Sequence, residues 1–537
     1  MAEEQVKNKK PGIYKRILKW IGLGLLVLLL IASLIFRAPW KVISSLLIIL
    51  AACTVLPRPY RKWLWLSVAT IVLVLIIWVF LPEDSEGWRP YTFDEELAAL
   101  EAKYAIPDSE NAAKIYNALL EEFDPNTIHP DFLDPNIKNF TLREFWSSKD
   151  NPELDQWLEG HQNTIAKLCE ASKVEKCAFP ITHDILSMCD STVYLPQIRG
   201  WAYLLVRAGN NDMAEGRIEE GLEKYLSVKN IGDHMRQQST LLEMLVGIAV
   251  EALAIGRFKA FVVTADATEE HLSLIEKAVA DIKYDWSSDL PRILECEKLM
   301  TKNTFCSLAY EINQEGKVRF TRDPTAVARE RFPEEMPPPT YWQRNIWKAG
   351  VILAYLGMPS SPKKVSKNMD SGFQRLYAMA EPDFDWGGSP KEFSINPMKV
   401  KFNWIYLTRT IADMMASMLE ESYYSVHDQY LRNIAEQRGA RVIFALRRYK
   451  NKTGHWPETL DDIKDLIPDE ILVDSINGGS FVYRLTEENF TLYSKGKNNI
   501  DEGGERDKES GADDWLIWPP RTRKTKNEKA DVQQSNT

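Results

Sequence analysis

The oxygens best suited to metal chemistry in this chain lie close to its end. The stretch LYSKGKNNIDEGG, from Leu492 to Gly504, breaks a strand-like run into asparagines, an aspartate and two glycines. Asn498, Asp501, Asp507, Asp513 and Asp514 set hard oxygens around a loop loosened by Gly503 and Gly504. Calcium takes roughly six to eight such ligands, several of them carboxylates or backbone carbonyls. A solvated acidic loop is the competing reading.

Other chemistry finds little support. There is no Gly-x-Ser-x-Gly elbow, P-loop, His-Glu-x-x-His or dinucleotide fingerprint. The seven histidines lack ligand spacing. His183–Asp184 and His427–Asp428 are sequence neighbours, and neighbours on a helix point apart, so neither reads as a dyad. The six cysteines contain no Cys-x-x-Cys pair. Disulfides among Cys169, Cys177, Cys189, Cys296 and Cys306 and buried free thiols stand as equal alternatives. Trp342, Trp347, Trp386 and Trp404 fall in an irregular middle stretch. Such aromatics line a sugar or peptide groove or, more commonly, fill a core.

A chain of 537 residues is too long for one core. Its charge is uneven. Residues 1–63 carry eleven Lys or Arg and two acids, so against totals of 66 and 76 the remainder is net acidic by nineteen. Such a body does not suit nucleic acid, which is bound by neutralising phosphates. Apolar runs at Trp20–Phe36, Val42–Leu56 and Leu64–Leu81 follow the basic head, with aromatics at their ends. They predict three transmembrane helices in the lipid bilayer. The basic residues before the first run place the N-terminus in the cytoplasm and the large domain in the periplasm, anchored in the inner membrane. If the second run does not span, the body lies in the cytoplasm.

Beyond the head the expected fold is mainly α. "TFDEELAALEAKYAIP" opens on a capping box, Thr92 with Glu95, and "DSENAAKIYNALLEEF" repeats the plan behind Asp108 or Ser109. From Leu195 an αα-hairpin is expected, turning at Gly209–Asn211. "LLEMLVGIAVEALAIG" is apolar, but short and marked by Glu243 and Glu251. It reads as a buried core helix, with Glu251 a paired or rim carboxylate. Prolines make 318–400 irregular. Near the end, "SFVYRL" and "NFTLYS" alternate as a β-hairpin, and "DWLIW" is a third strand. The divisions are a basic segment 1–19, membrane helices 20–82, helical regions 83–195 and 196–317, the irregular segment 318–400, a long helix with a small α+β domain 401–519, and a disordered tail 520–537.

Residues 432–518 resemble the globular domain of the major pseudopilin of type II secretion. "ALRRYKNKTGHWPETLDDI", "VDSINGGSFVYRL", "FTLYSKGKNN", "EGG" and "ADDW" follow one another as that family's motifs do. The resemblance implies a long helix packed on a short antiparallel sheet. It also implies calcium as cofactor, with Asn498, Asp513 and Asp514 the closest matches by position. Asp501 and the carbonyls of Leu492 and Ser494 would complete the shell. Asn498 stands where the family has Asp, which lowers the charge of the site. The family's Gly-Phe-x-x-x-Glu processing site is missing, and the leading helix is too polar for a stored pilin helix. Head, body and end together resemble bacterial multi-pass envelope proteins.

The expected function is a membrane-anchored, non-enzymatic envelope protein. Its helical and pseudopilin-like domains would bind another envelope protein or an extracellular polymer. The alternative is an envelope hydrolase with a site assembled from distant residues around 318–400.

Overall fold

The computed structural model describes residues 87–122, 129–181, 183, 194–321, 361–386, 407–487, 489–507 and 510–520. The chain divides into two compact units that interleave along the sequence. One draws on Lys302–Arg375 and the described residues before Asp94, with Lys391–Met418; the other on Asp94–Thr301, Leu376–Pro390 and the chain from Leu419 onward.

In the first unit, β1 (Trp88–Pro90), β2 (Tyr310–Asn313) and β3 (Val318–Phe320) form an antiparallel sheet in that order. Asn313 closes the β2–β3 turn: its side-chain oxygen accepts from the amides of Glu315 and Lys317.

The second unit is mainly helical. Its shorter helices are α1 (Asp94–Tyr104), α2 (Ala113–Glu121), α3 (Pro135–Arg143), α4 (Pro152–Gly160) and α5 (Gln162–Ser172). The centre is α6 (Tyr194–Ala214), α7 (Ile218–Arg236) and α8 (Leu241–Thr264). After α9 (Glu269–Ala280), α10 (Trp286–Ala309) and α11 (Pro362–Ala378) run from one unit's residues into the other's, as does α12 (Leu407–Thr453). At 47 residues, α12 is about 70 Å long.

Its C-terminal half lies in the same core as α6–α8. Ala440, Val442, Ile443, Phe444 and Leu446 of α12 are buried with Trp201, Tyr225 and Phe258. Gly439 brings α12 against the last strand, since a Cβ there would meet Ile517 at 2.6 Å. That strand, β8 (Trp515–Trp518), pairs with β5 (Phe490–Ser494), which pairs with β4 (Val482–Leu485), all antiparallel. A two-residue ribbon, β6 (Arg506–Asp507) with β7 (Ala512–Asp513), precedes β8. The expected hairpin and third strand are present, and a long helix lies on the small sheet.

Four expectations change, one of them within 318–400, expected to be irregular, where Pro362–Ala378 is a helix; the other three follow. Among the described residues no helix is long and apolar enough to cross a membrane. The membrane-anchored, multi-pass description is therefore corrected to a mainly helical chain with small sheets. The most apolar of the long helices shows the physical reason. α8 buries Glu243, Glu251, Arg257 and Lys259 along with its apolar residues, so it serves a protein core and not lipid. The three apolar runs of 20–82, the tail beyond 520 and most of 318–400 lie outside the described residues.

Second, the turn expected at Gly209–Asn211 is helix. Gly209 is needed for contact, because a Cβ there would meet the Tyr225 ring at 2.6 Å. Asn210 accepts from the Tyr225 hydroxyl at 2.6 Å and donates to the Thr141 carbonyl at 2.9 Å. Tertiary packing overrides the local turn preference, and the chain turns instead at Gly216, with φ +76°. Third, α1 starts at Asp94 rather than behind Thr92, whose hydroxyl accepts from Arg89 at 3.4 Å.

Candidate functional site

The C-terminal loop is positioned by β5 and by the β6–β7 ribbon. Leu492 and Ser494 lie on β5, the central strand of the sheet. The chain leaves β5 at Gly496, whose φ of +65° and lack of a Cβ let Asp513 approach closely. A Cβ there would sit 2.1 Å from Asp513 Oδ1. Asp513 Oδ2 accepts from the amides of Lys497 at 2.8 Å and Asn498 at 3.4 Å. Asp514 Oδ2 accepts from the amides of Gly504 at 2.8 Å and Glu502 at 3.0 Å. Glu502 ties the ring together. Its carboxylate accepts from Asn498 Nδ2 at 2.6 Å and from the Asp513 amide at 3.1 Å.

Against this dense bonding, one oxygen on each aspartate stands out. Oδ1 of Asp513 and Oδ1 of Asp514 are buried without a hydrogen-bond partner. A buried acceptor left unpaired is costly. Burial pushes the Asp514 carboxyl up to about 6, reinforced by the Glu502 carboxyl alongside and opposed by the two amides. A carboxylate beside a buried carboxyl disfavours a second negative charge there. A cation beside either free oxygen would relieve its penalty, so each aspartate offers one ligand to a cation.

The other expected ligands are placed differently. Asp501 turns away: it accepts from the Tyr493 hydroxyl at 2.6 Å and pairs with Arg484 at 2.8 Å. The Tyr493 bond is the main reason its carboxyl is held below the usual range. Asp507 is exposed and accepts from the Ser510 amide at 3.2 Å. Asn498 Oδ1 accepts from the Ile500 amide at 2.7 Å. Among the described residues no three His, Cys, Asp or Glu side chains gather as a metal-holding group. A cation here would draw on two carboxylates and on neutral oxygens, a mixture that suits calcium.

Sequence reasoning missed two residues. Glu502 sits inside the quoted loop, between two residues that were named. Asp474 is wholly buried and accepts from the Ile476 amide at 2.9 Å and from Asn477 Nδ2 at 2.7 Å. Asn477 Nδ2 also donates to the Gly496 carbonyl at 3.0 Å, clamping the 474–479 turn to the loop.

The remaining candidates take structural roles. His427 stacks on Trp386 with centroids 3.6 Å apart, and burial lowers its pKa to about 4. Its neighbour Asp428 pairs with Arg432 at 2.7 Å and Lys497 at 2.8 Å, so the two form no dyad. His183 pairs with Glu101 at 2.6 Å. The described cysteines, Cys169, Cys177, Cys296 and Cys306, are free thiols. Burial pushes Cys296 and Cys306 up to about 12, which makes them poor nucleophiles. Glu251 is paired, as expected: it accepts from Tyr284 at 2.8 Å and from Arg236 at 3.3 Å.

Comparison with known proteins returns no matching family model, no matching curated protein and no matching solved structure.

Proposed function

We propose that the chain is a non-enzymatic binding protein whose C-terminal domain, pseudopilin-like in its motifs, is held in shape by a calcium ion. The observation that carries this is the pair of buried, unpartnered oxygens on Asp513 and Asp514. Carbonyls of the loop complete the ligand set, and Asn498 braces the loop through Ile500 and Glu502. With few charged ligands the affinity suits the high calcium levels found outside cells. The partner is a protein or an extracellular polymer, met by the surface that the calcium loop rigidifies.

The test is thermal unfolding of the full chain with calcium, with magnesium and with chelator. Calcium at a hundredfold excess over Kd stabilises by about 2.7 kcal/mol. A clear rise in Tm with calcium and little with magnesium is the expected result. Asp514→Asn keeps the shape and should abolish the response. An equal rise in the variant, or none in the natural protein, would sink the proposal.

The pH dependence follows with its sign. The folded Asp514 carboxyl titrates near 6, against about 3.9 in the unfolded chain. Between these values the folded state holds more protons, so stability falls as pH rises from about 4 to about 6. In chelator, the difference in Tm between the natural protein and Asp514→Asn should change in that window. Calcium should flatten it. A difference independent of pH would show that the carboxyl titrates normally.

A further inference from the structure

A second polar site lies away from the calcium loop. A cavity of about 220 Å³ opens between α12 and the turn ending at Ile471, lined by Tyr284, Ile434, Gln437, Arg438, Arg441 and Ile471. Arg438 and Arg441 are three residues apart, so they share one face of the helix. Neither guanidinium is neutralised well. Arg441 reaches its carboxylate, Glu276, only at 3.7 Å. The same Glu276 is taken closely by Arg448, which also holds Glu269 at 2.8 Å. The Nε of Arg441 is buried and has no acceptor. Arg438 donates to the Val473 carbonyl at 2.8 Å. Its charge reaches Asp474, but that carboxylate is already committed to Ile476 and Asn477.

Gln437 uses its amide on the carbonyls of Val279 and Ile282, at 2.7 and 2.6 Å, and so holds the wall in place. The Tyr284 hydroxyl is given to Glu251 at 2.8 Å. What is left open to the cavity is two forked cations with a shortage of anions.

We propose that this cavity binds a phosphoryl group. A guanidinium offers paired N–H donors in a fixed fork, and two of them match a tetrahedral dianion better than one carboxylate. At about 30 Å³ per water the volume is that of several waters. That admits the oxyanion on a small carrier.

The test uses the full chain with inorganic phosphate, and with acetate at matched ionic strength. At a hundredfold excess over Kd, phosphate should raise Tm by several degrees and acetate by less. Titration calorimetry should give a Kd weakened at least tenfold by Arg441→Gln. Arg438→Lys keeps the charge but loses the fork, and should weaken binding less. If Arg441→Gln does not fold, Arg438→Gln gives the same reading. Equal shifts with phosphate and acetate, or a phosphate shift that survives in the glutamine variant, would overturn the assignment.

Discussion

Gly247→Ala is expected to destabilise the chain, while Gly256→Ala nine residues along the same helix is expected to stabilise it. At Gly247 an added Cβ would lie 2.4 Å from the Arg236 amide nitrogen and 2.6 Å from the Gly232 carbonyl oxygen. Both are backbone atoms of α7 and cannot swing aside. At Gly232 a Cβ would meet the Glu251 nitrogen at 2.7 Å and the Gly247 carbonyl at 2.9 Å. The two helices therefore touch backbone to backbone, and alanine would force them apart. Overpacking of this kind costs about 1–3 kcal/mol. Separation would also strain the buried ion pair that α7 and α8 share. The helix preference of alanine over glycine, about 1 kcal/mol, opposes the loss without cancelling it.

At Gly256 a Cβ would meet nothing within 4 Å, so only the favourable preference remains. Urea unfolding followed by circular dichroism on both variants gives the answer. If their midpoints move in the same direction, the close helix contact is not where the structure places it.

What could be read from the sequence divides along a physical line. Period and local chemistry were legible. Alternation in "SFVYRL" and "NFTLYS" gave the hairpin, and β4 and β5 pair from Val482–Tyr493 to Leu485–Phe490. The acids within "LLEMLVGIAVEALAIG" marked a core helix, and Glu243 proves to close a capping box with Thr240. Orientation inside a loop was not legible. Asp501 and Asp514 look alike as sequence, yet one is spent on Arg484 and Tyr493 while the other keeps a buried free oxygen. Long-range contacts were equally hidden. The partner that makes Gly209 helical is Tyr225, on the next helix. The two arginines of the small cavity carry no sequence signal, because their shortage of anions depends on where Arg448 places Glu276.

Arg236→Leu is expected to cost about 3–5 kcal/mol, the usual penalty for stranding a buried charge. Arg236 pairs with Asp233, with Glu251 at 3.3 Å and with Asp289 at 3.8 Å. Glu251 is fully buried. Without the guanidinium its remaining partner is the Tyr284 hydroxyl. Burial already raises the Glu251 carboxyl above its ordinary range, and Arg236 is the strongest influence holding it down. Removing Arg236 lets it rise further. A carboxyl raised in the folded state loses stability as pH climbs through its folded value. The variant should therefore be closer to the natural protein in mild acid than at pH 8. Adding Glu251→Leu to the variant should restore much of the loss, since a buried ion pair is worth little more than apolar packing of similar volume. Denaturant unfolding of the two single variants and the double completes the cycle. Additive losses would mean that the two side chains do not share their charge in the core, and the account of the α7–α8 contact would fail with them.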